Sequence, residues 1–202
     1  MKFVHRQRAA LADLLEELGP FAPTMCEGWQ TQDLAAHLYV REHRLDALPG
    51  IGSERFAGHT ERVQNLELHR RGFLPLVEAV RRPGWIMRPL DQLVNSSELF
   101  IHHEDVLRAN GRSQTLTAEE QEHLWPLAKV LARRAQMRFG GRLLMTRTDT
   151  GYEHQIGQGD RTVHLAGLPS ELLLHLSQRE ADVTLTGETS AVDAWRSAIS
   201  PL

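Results

Sequence analysis

The sequence predicts a mostly α-helical protein: an N-terminal up-down helical bundle over residues 1–139, followed by a small α/β domain over residues 140–202. Three observations predict it. Apolar residues recur at helical spacing through the first two-thirds of the chain. Glycine and proline pairs interrupt that pattern about one helix length apart. Beyond Gly140-Gly141 the pattern changes to short runs rich in Val, Leu and Thr, the composition of strands.

In the first helix Leu11, Leu14, Leu15 and Leu18 share one face, and Gly19-Pro20 stops it. Phe21 to Trp29 is a loop. The spacing predicts a second helix from Thr31 to Asp46 with Leu34, His37, Leu38 and Arg41 on one face, broken by Pro49-Gly50 and Gly52. A third helix is expected from His59 to Arg82, ended by Pro83-Gly84. A fourth is expected from near Pro89 to Asn110-Gly111, turning Leu93, Val94, Ser97, Glu98, Ile101, His102 and Asp105 inward. Thr117 followed by Glu120 is a capping box and opens a fifth helix, Ala118 to Phe139. Strands are expected at Leu143–Thr148, Thr162–Leu165 and Asp182–Thr186, with helices at Pro169–Gln178 and Ser190–Ile199. Gly157-Gln158-Gly159-Asp160 reads as a hairpin turn; it lacks the lysine and the strand-then-helix setting of a phosphate loop.

Composition excludes several function classes. Of 202 residues 41% are hydrophobic, enough for a full core. The formal charge of −3 offers no footprint for nucleic acid, and the Arg70-Arg71, Arg81-Arg82 and Arg133-Arg134 pairs have acids nearby. No run reaches the roughly 18 apolar residues of a membrane-spanning helix. The charged N-terminus lacks a secretory core, and the single cysteine, Cys26, excludes an internal disulfide, so the expected compartment is the cytoplasm.

The segment from Asn95 to Asp105 carries the chemistry. Glu98 and His102 are four residues apart and project from one helix face, where a carboxylate oxygen and an imidazole nitrogen can grip one ion. By spacing alone a buried Glu–His ion pair is the commoner arrangement. His37, set among alanines and leucines on a second inward face, adds a third donor. Two His and one Glu with open positions left over form the donor set of a catalytic divalent site: zinc first, nickel or iron as alternatives. Asp105 is placed to orient His102 from behind, and Asp33 is either a similar partner of His37 or a helix N-terminal charge. His103 points about 100° away from His102 around the helix. Cys26 is expected to be a buried, inert thiol, since Glu27 follows it and no basic group is assured nearby.

Ala22-Pro-Thr-Met-Cys26-Glu-Gly-Trp29, Asp33-Leu-Ala-Ala-His37-Leu and Asn95-Ser-Ser-Glu98-Leu-Phe-Ile-His102-His103-Glu-Asp-Val106 resemble the mycothiol-dependent maleylpyruvate isomerase family. That family lies within the DinB-like superfamily of metal-binding four-helix bundles, and an actinobacterial branch of it is the nearest resemblance. Leu172–Arg179 and Ala181–Gly187 resemble the family's small α/β domain. The resemblance implies a metal triad at His37, Glu98 and His102, and a substrate-binding arginine at Arg179. Two positions depart from the family pattern: Gln178 replaces the glycine before that arginine, and Gln30 replaces the Ser or Thr that caps the second helix.

The expected activity is that of a metal-dependent isomerase or S-transferase. It would activate a low-molecular-weight thiol such as mycothiol toward a small electrophile, with no nucleic acid or membrane partner, as a monomer or homodimer. A non-catalytic module with a structural metal, and a metal-free Glu98–His102 ion pair, are the competing readings.

Overall fold

The computed structural model describes residues 2–44, 46, 54–84 and 95–200, with the backbone alone for residues 54–57. Two compact units divide the chain, Met1–Gln114 and Thr115–Leu202. The described residues form eight helices and one four-stranded sheet. No helix among them is long and apolar enough to cross a membrane.

The first unit is helical. Helix α1 (Phe3–Leu18) buries Val4, Leu11, Ala12, Leu14 and Leu15 and ends at Gly19, whose positive φ of 76° suits glycine and whose N–H donates to the Leu15 carbonyl. Helix α2 (Thr31–His43) stops short of the expected Asp46. Gln30 leads into it, and its backbone N–H is met by the Asp33 carboxylate at 2.9 Å. Asp33 therefore caps the helix and does not back His37.

The third expected helix is two helices, α3 (Glu54–Arg71) and α4 (Phe73–Val80). Gly72 separates them at φ 81°, ψ 167°, an extended positive-φ conformation essentially confined to glycine, costing other residues roughly 1–3 kcal/mol. Helix α5 (Ser96–Ala109) carries the Glu98–His102 segment; its expected start near Pro89, with Leu93 and Val94, lies outside the described residues. Helix α1 packs on α5, and α2 on α3 and α4, around Leu34, Val40, Leu76, Val77, Leu99 and Val106.

The second unit opens with α6 (Ala118–Phe139), capped as the sequence predicts: Thr117 N–H donates to Glu120 and the Glu120 N–H returns to the Thr117 hydroxyl. The sequence reading places this helix with the bundle. Its buried stripe of Leu124, Ala128, Ala132, Ala135 and Phe139 instead lies along α7 (Pro169–Leu176) and α8 (Thr189–Ile199), with the Phe139 and Trp195 rings 5.6 Å apart.

The strands are β1 (Arg142–Arg147), β2 (Glu153–Ile156), β3 (Thr162–Gly167) and β4 (Val183–Gly187), in the order β2-β1-β3-β4. β1 and β3 run parallel; β2 and β4 are antiparallel edges. Leu143, Met145, Val163 and Leu165 fill the buried face. β2 is absent from the sequence reading, and its presence corrects the role of Gly157–Asp160. That segment joins β2 to β3 past the start of β1, between strands that are not neighbours, so it is a crossover and not a hairpin turn.

Candidate metal centre

His37 on α2 and Glu98 and His102 on α5 converge: one ligand atom from each lies within 4.8 Å of the other two. Burial of Leu34, Ala35, Ala36 and Leu38 turns the His37 face of α2 inward, and burial of Leu99 and Phe100 on α5 carries Glu98 and His102 with them. The two imidazoles meet edge to face, centroids 5.3 Å apart, and the Trp29 ring packs against His37 at 5.0 Å. His102 Nε2 is 3.7 Å from Glu98 Oε2. Donors at ~2.0–2.2 Å from a tetrahedral ion would lie about 3.3–3.6 Å apart, close to the 3.7 Å of that edge.

The protonation states suit the task. Burial first, then the neighbouring His102 and Arg41, holds the His37 pKa well below the ordinary imidazole value, so the ring is neutral near pH 7 and able to ligate. His102 Nδ1 is 3.1 Å from the buried Asp105 carboxylate, the arrangement that keeps a proton on Nδ1 and leaves Nε2 for an ion. Asp105 thus occupies the orienting position expected of it. His37 Nδ1 lies 3.1 Å from the Gln64 side-chain amide of α3. Were an ion held on His37 Nε2, the amide, turned so that its oxygen faces the ring, would accept the Nδ1 proton over the same contact. Two imidazoles, each with a polar partner behind it, and a carboxylate fit a borderline divalent ion such as zinc.

The sequence reading put Arg41 on the His37 face without a role. Its Nε is 3.5 Å from Glu98 Oε2, and its Nη1 donates to Asn95 Oδ1. Asn95 in turn donates to Glu42 at 3.1 Å, and Glu42 is paired with the fully buried Arg8 at 2.7 Å. A chain of charge and amide groups therefore ties the Glu98 end of the site to α1 and α2. Gln64, like this chain, escaped sequence reading, since no local spacing links α3 to His37.

Cys26 corrects another expectation. It is half-buried, and its Sγ lies 3.3 Å from Asp105 Oδ2 and 3.9 Å from His102 Nδ1, so a titratable base stands beside the thiol. His103 points elsewhere, as the helical angle requires, with Nδ1 2.8 Å from Gln7 Oε1; burial, then Arg6, pulls its pKa down to about 4.

Arg179 belongs to the second unit, just past α7, and its Nη1 donates to the Ser177 carbonyl at 2.7 Å. The two residues before and at Arg179 close α7 by a Schellman turn: Gln178 N–H to His175 O and Arg179 N–H to Leu174 O, both 2.9 Å. Gln178 sits at φ 64°, among the described residues the one non-glycine in that region. The glycine of the family pattern thus has a conformational reason, and Gln178 adopts the same geometry under strain.

No protein-family model matches the chain, and no curated protein matches it. Two solved structures share its fold: the mycothiol-dependent maleylpyruvate isomerase (TM-score 0.56, 15% identity) and a histidine-to-alanine variant of it (TM-score 0.57, 14% identity). Each alignment covers 91% of this chain and 90% of the other. The protein is therefore a distant fold-level relative of a mycothiol-dependent isomerase, helical unit and small α/β unit together.

Proposed function

We propose that His37, Glu98 and His102 hold one divalent metal ion, zinc in the first instance, and that the protein is an enzyme acting on a low-molecular-weight thiol of the mycothiol type. The reaction class is isomerisation of a small electrophile, or S-transfer to it. The convergence of the three donors from two helices, within 4.8 Å of one another, carries the reading.

A divalent ion in such a donor set supplies Lewis acidity that lowers the pKa of a coordinated thiol. This chain's own residues do the rest. Asp105 and Gln64 fix which nitrogen of His102 and His37 faces the centre. Trp29 and the alanines of α2 shield His37 from water. Arg41 places a fixed positive charge at the Glu98 edge, suited to an anionic ligand. Arg179 is assigned the substrate carboxylate by resemblance, and Arg179→Lys beside Arg179→Ala tests whether the planar fork or only the charge is used.

One observation favours a second reading, a non-catalytic polar cluster or structural ion: Arg41 Nε lies 3.5 Å from Glu98 Oε2 and can itself balance the carboxylate charge. Metal content decides first. Protein purified without a histidine tag is expected to carry an ion at near-stoichiometric level, lost in His37→Ala and in His102→Ala, by elemental analysis. No metal in the wild type after loading with zinc, nickel or iron would reject the metalloenzyme.

A further inference from the structure

The back of His102 faces a second set of donors. Cys26 Sγ, Asp105 Oδ2 and His102 Nδ1 lie 3.1, 3.3 and 3.9 Å apart in pairs. A tetrahedral ion with sulfur at ~2.3 Å and nitrogen and oxygen at ~2.0–2.2 Å separates its ligands by about 3.3–3.6 Å. The observed distances bracket that range, and the three atoms belong to residues on one loop and one helix. We propose that Cys26, His102 and Asp105 form a second cation site, for a thiophilic divalent ion such as zinc, cobalt or cadmium, which competes with the first site for His102.

The site is built and not incidental. Asp105 and His102 are buried at 1% and 7% exposure. The loop bearing Cys26 is fastened to α5 by Met25 N–H on the Asp105 carbonyl (3.1 Å) and by the Asn110 amide on the Pro23 carbonyl (3.0 Å). Within the loop, the Thr24 hydroxyl donates to the Trp29 carbonyl at 2.9 Å and accepts from Cys26 N–H at 3.2 Å, which fixes the thiol's place. The half-exposure of Cys26 leaves a fourth position open toward solvent.

Proton accounting makes the two sites alternatives. An ion at the second site takes the Cys26 sulfur as thiolate, its proton passing to solvent, and the His102 Nδ1 lone pair, with the ring proton on Nε2. An ion at the first site takes Nε2 and needs the proton on Nδ1. One neutral imidazole serves one ion at a time, so His102 selects between a His/Glu site and a Cys/Asp site.

Cobalt is the test ion, since Cys26 is the chain's only cysteine and any sulfur-to-cobalt charge-transfer band reports it alone. The titration is done in Glu98→Gln, which removes the first site's carboxylate, with His37→Ala in its place should circular dichroism show that variant unfolded. The expected result is a charge-transfer band saturating at about one equivalent and absent when Cys26→Ser is added, with zinc slowing iodoacetamide alkylation of Cys26 by roughly tenfold or more. A folded variant that shows no such band, with an alkylation rate unchanged by zinc, overturns the proposal. Because the first site is already disabled, that failure is separate from any failure of the His37 triad, which the metal content of the single-histidine variants reports.

Discussion

Replacing Gln64 tests whether the environment of His37 is built for an ion. The Gln64 amide lies 3.1 Å from His37 Nδ1, with the ring 8% exposed, so no bulk water stands ready to replace it. In Gln64→Leu the ion-free ring can still choose its tautomer and turn toward another partner. With an ion on Nε2 the proton is pinned to Nδ1 as a buried donor without an acceptor, at a cost of about 1–3 kcal/mol. Since about 1.4 kcal/mol is tenfold, the expected loss of zinc affinity is roughly 10–100-fold, the range usual for removing a partner behind a metal-binding histidine. Gln64→Glu supplies a carboxylate to the same nitrogen and is expected to retain or raise affinity. Competition against a chromophoric chelator at constant pH measures all three proteins, and urea melts of the ion-free forms separate affinity from stability. Equal affinity in wild type and Gln64→Leu, with both folded, would refute the argument. So would a Gln64→Glu variant as weak as Gln64→Leu.

Acid should destabilise the ion-free protein. The His103 pKa is about 4 when folded against 6.5 unfolded, so between those values the unfolded chain binds more protons and stability falls as pH drops. His103 alone contributes a loss on the order of 3 kcal/mol across that window and none above it, and His37, also depressed, adds in the same direction. Urea melts between pH 7 and pH 4 should show a flatter profile in His103→Gln than in wild type. Gln178→Gly removes the strain at φ 64° and should raise stability by about 1 kcal/mol without changing zinc affinity, read by thermal melts with and without zinc. Arg8→Met leaves Glu42 as a buried charge short of its 2.7 Å partner, and denaturant unfolding should show a loss of roughly 3–5 kcal/mol.

What could be read from the sequence was what local periodicity encodes. Glu98 and His102 are one turn apart on a helix whose apolar residues point the same way, so their shared face follows from spacing. The Thr117–Glu120 box marks the start of α6 to the residue for a similar reason: both partners lie within one turn. Relations between distant elements were not readable. Gln64 meets His37 across 27 positions, Cys26 meets Asp105 across 79, and nothing in either neighbourhood specifies the other. The stripe on α6 says that the helix is buried on one face but not against what, which is why its place beside α7 and α8 was missed. Strand β2 was missed because Glu153-His-Gln-Ile156 is an edge strand whose one buried residue is Ile156, too few apolar positions for an alternation.

The fold likeness at 14% identity cannot carry a reaction, so the chemical argument rests on charge. A divalent ion held at the triad would face two imidazoles and a single carboxylate and would stay positive. Arg41 adds a second positive charge at the same edge, held by Asn95, Glu42 and Arg8 and therefore unable to swing away cheaply. Asp105 offsets one charge, but from behind His102 and at the cost of contact with Cys26. With such an ion the open side would be electropositive, which favours an anionic ligand over a neutral one. A thiol held there as thiolate would match that field better than a neutral amine ligand would. The same logic makes the proposed His102 choice consequential: an ion held by Cys26 would have a thiolate from the chain itself, and its affinity for an external one would fall.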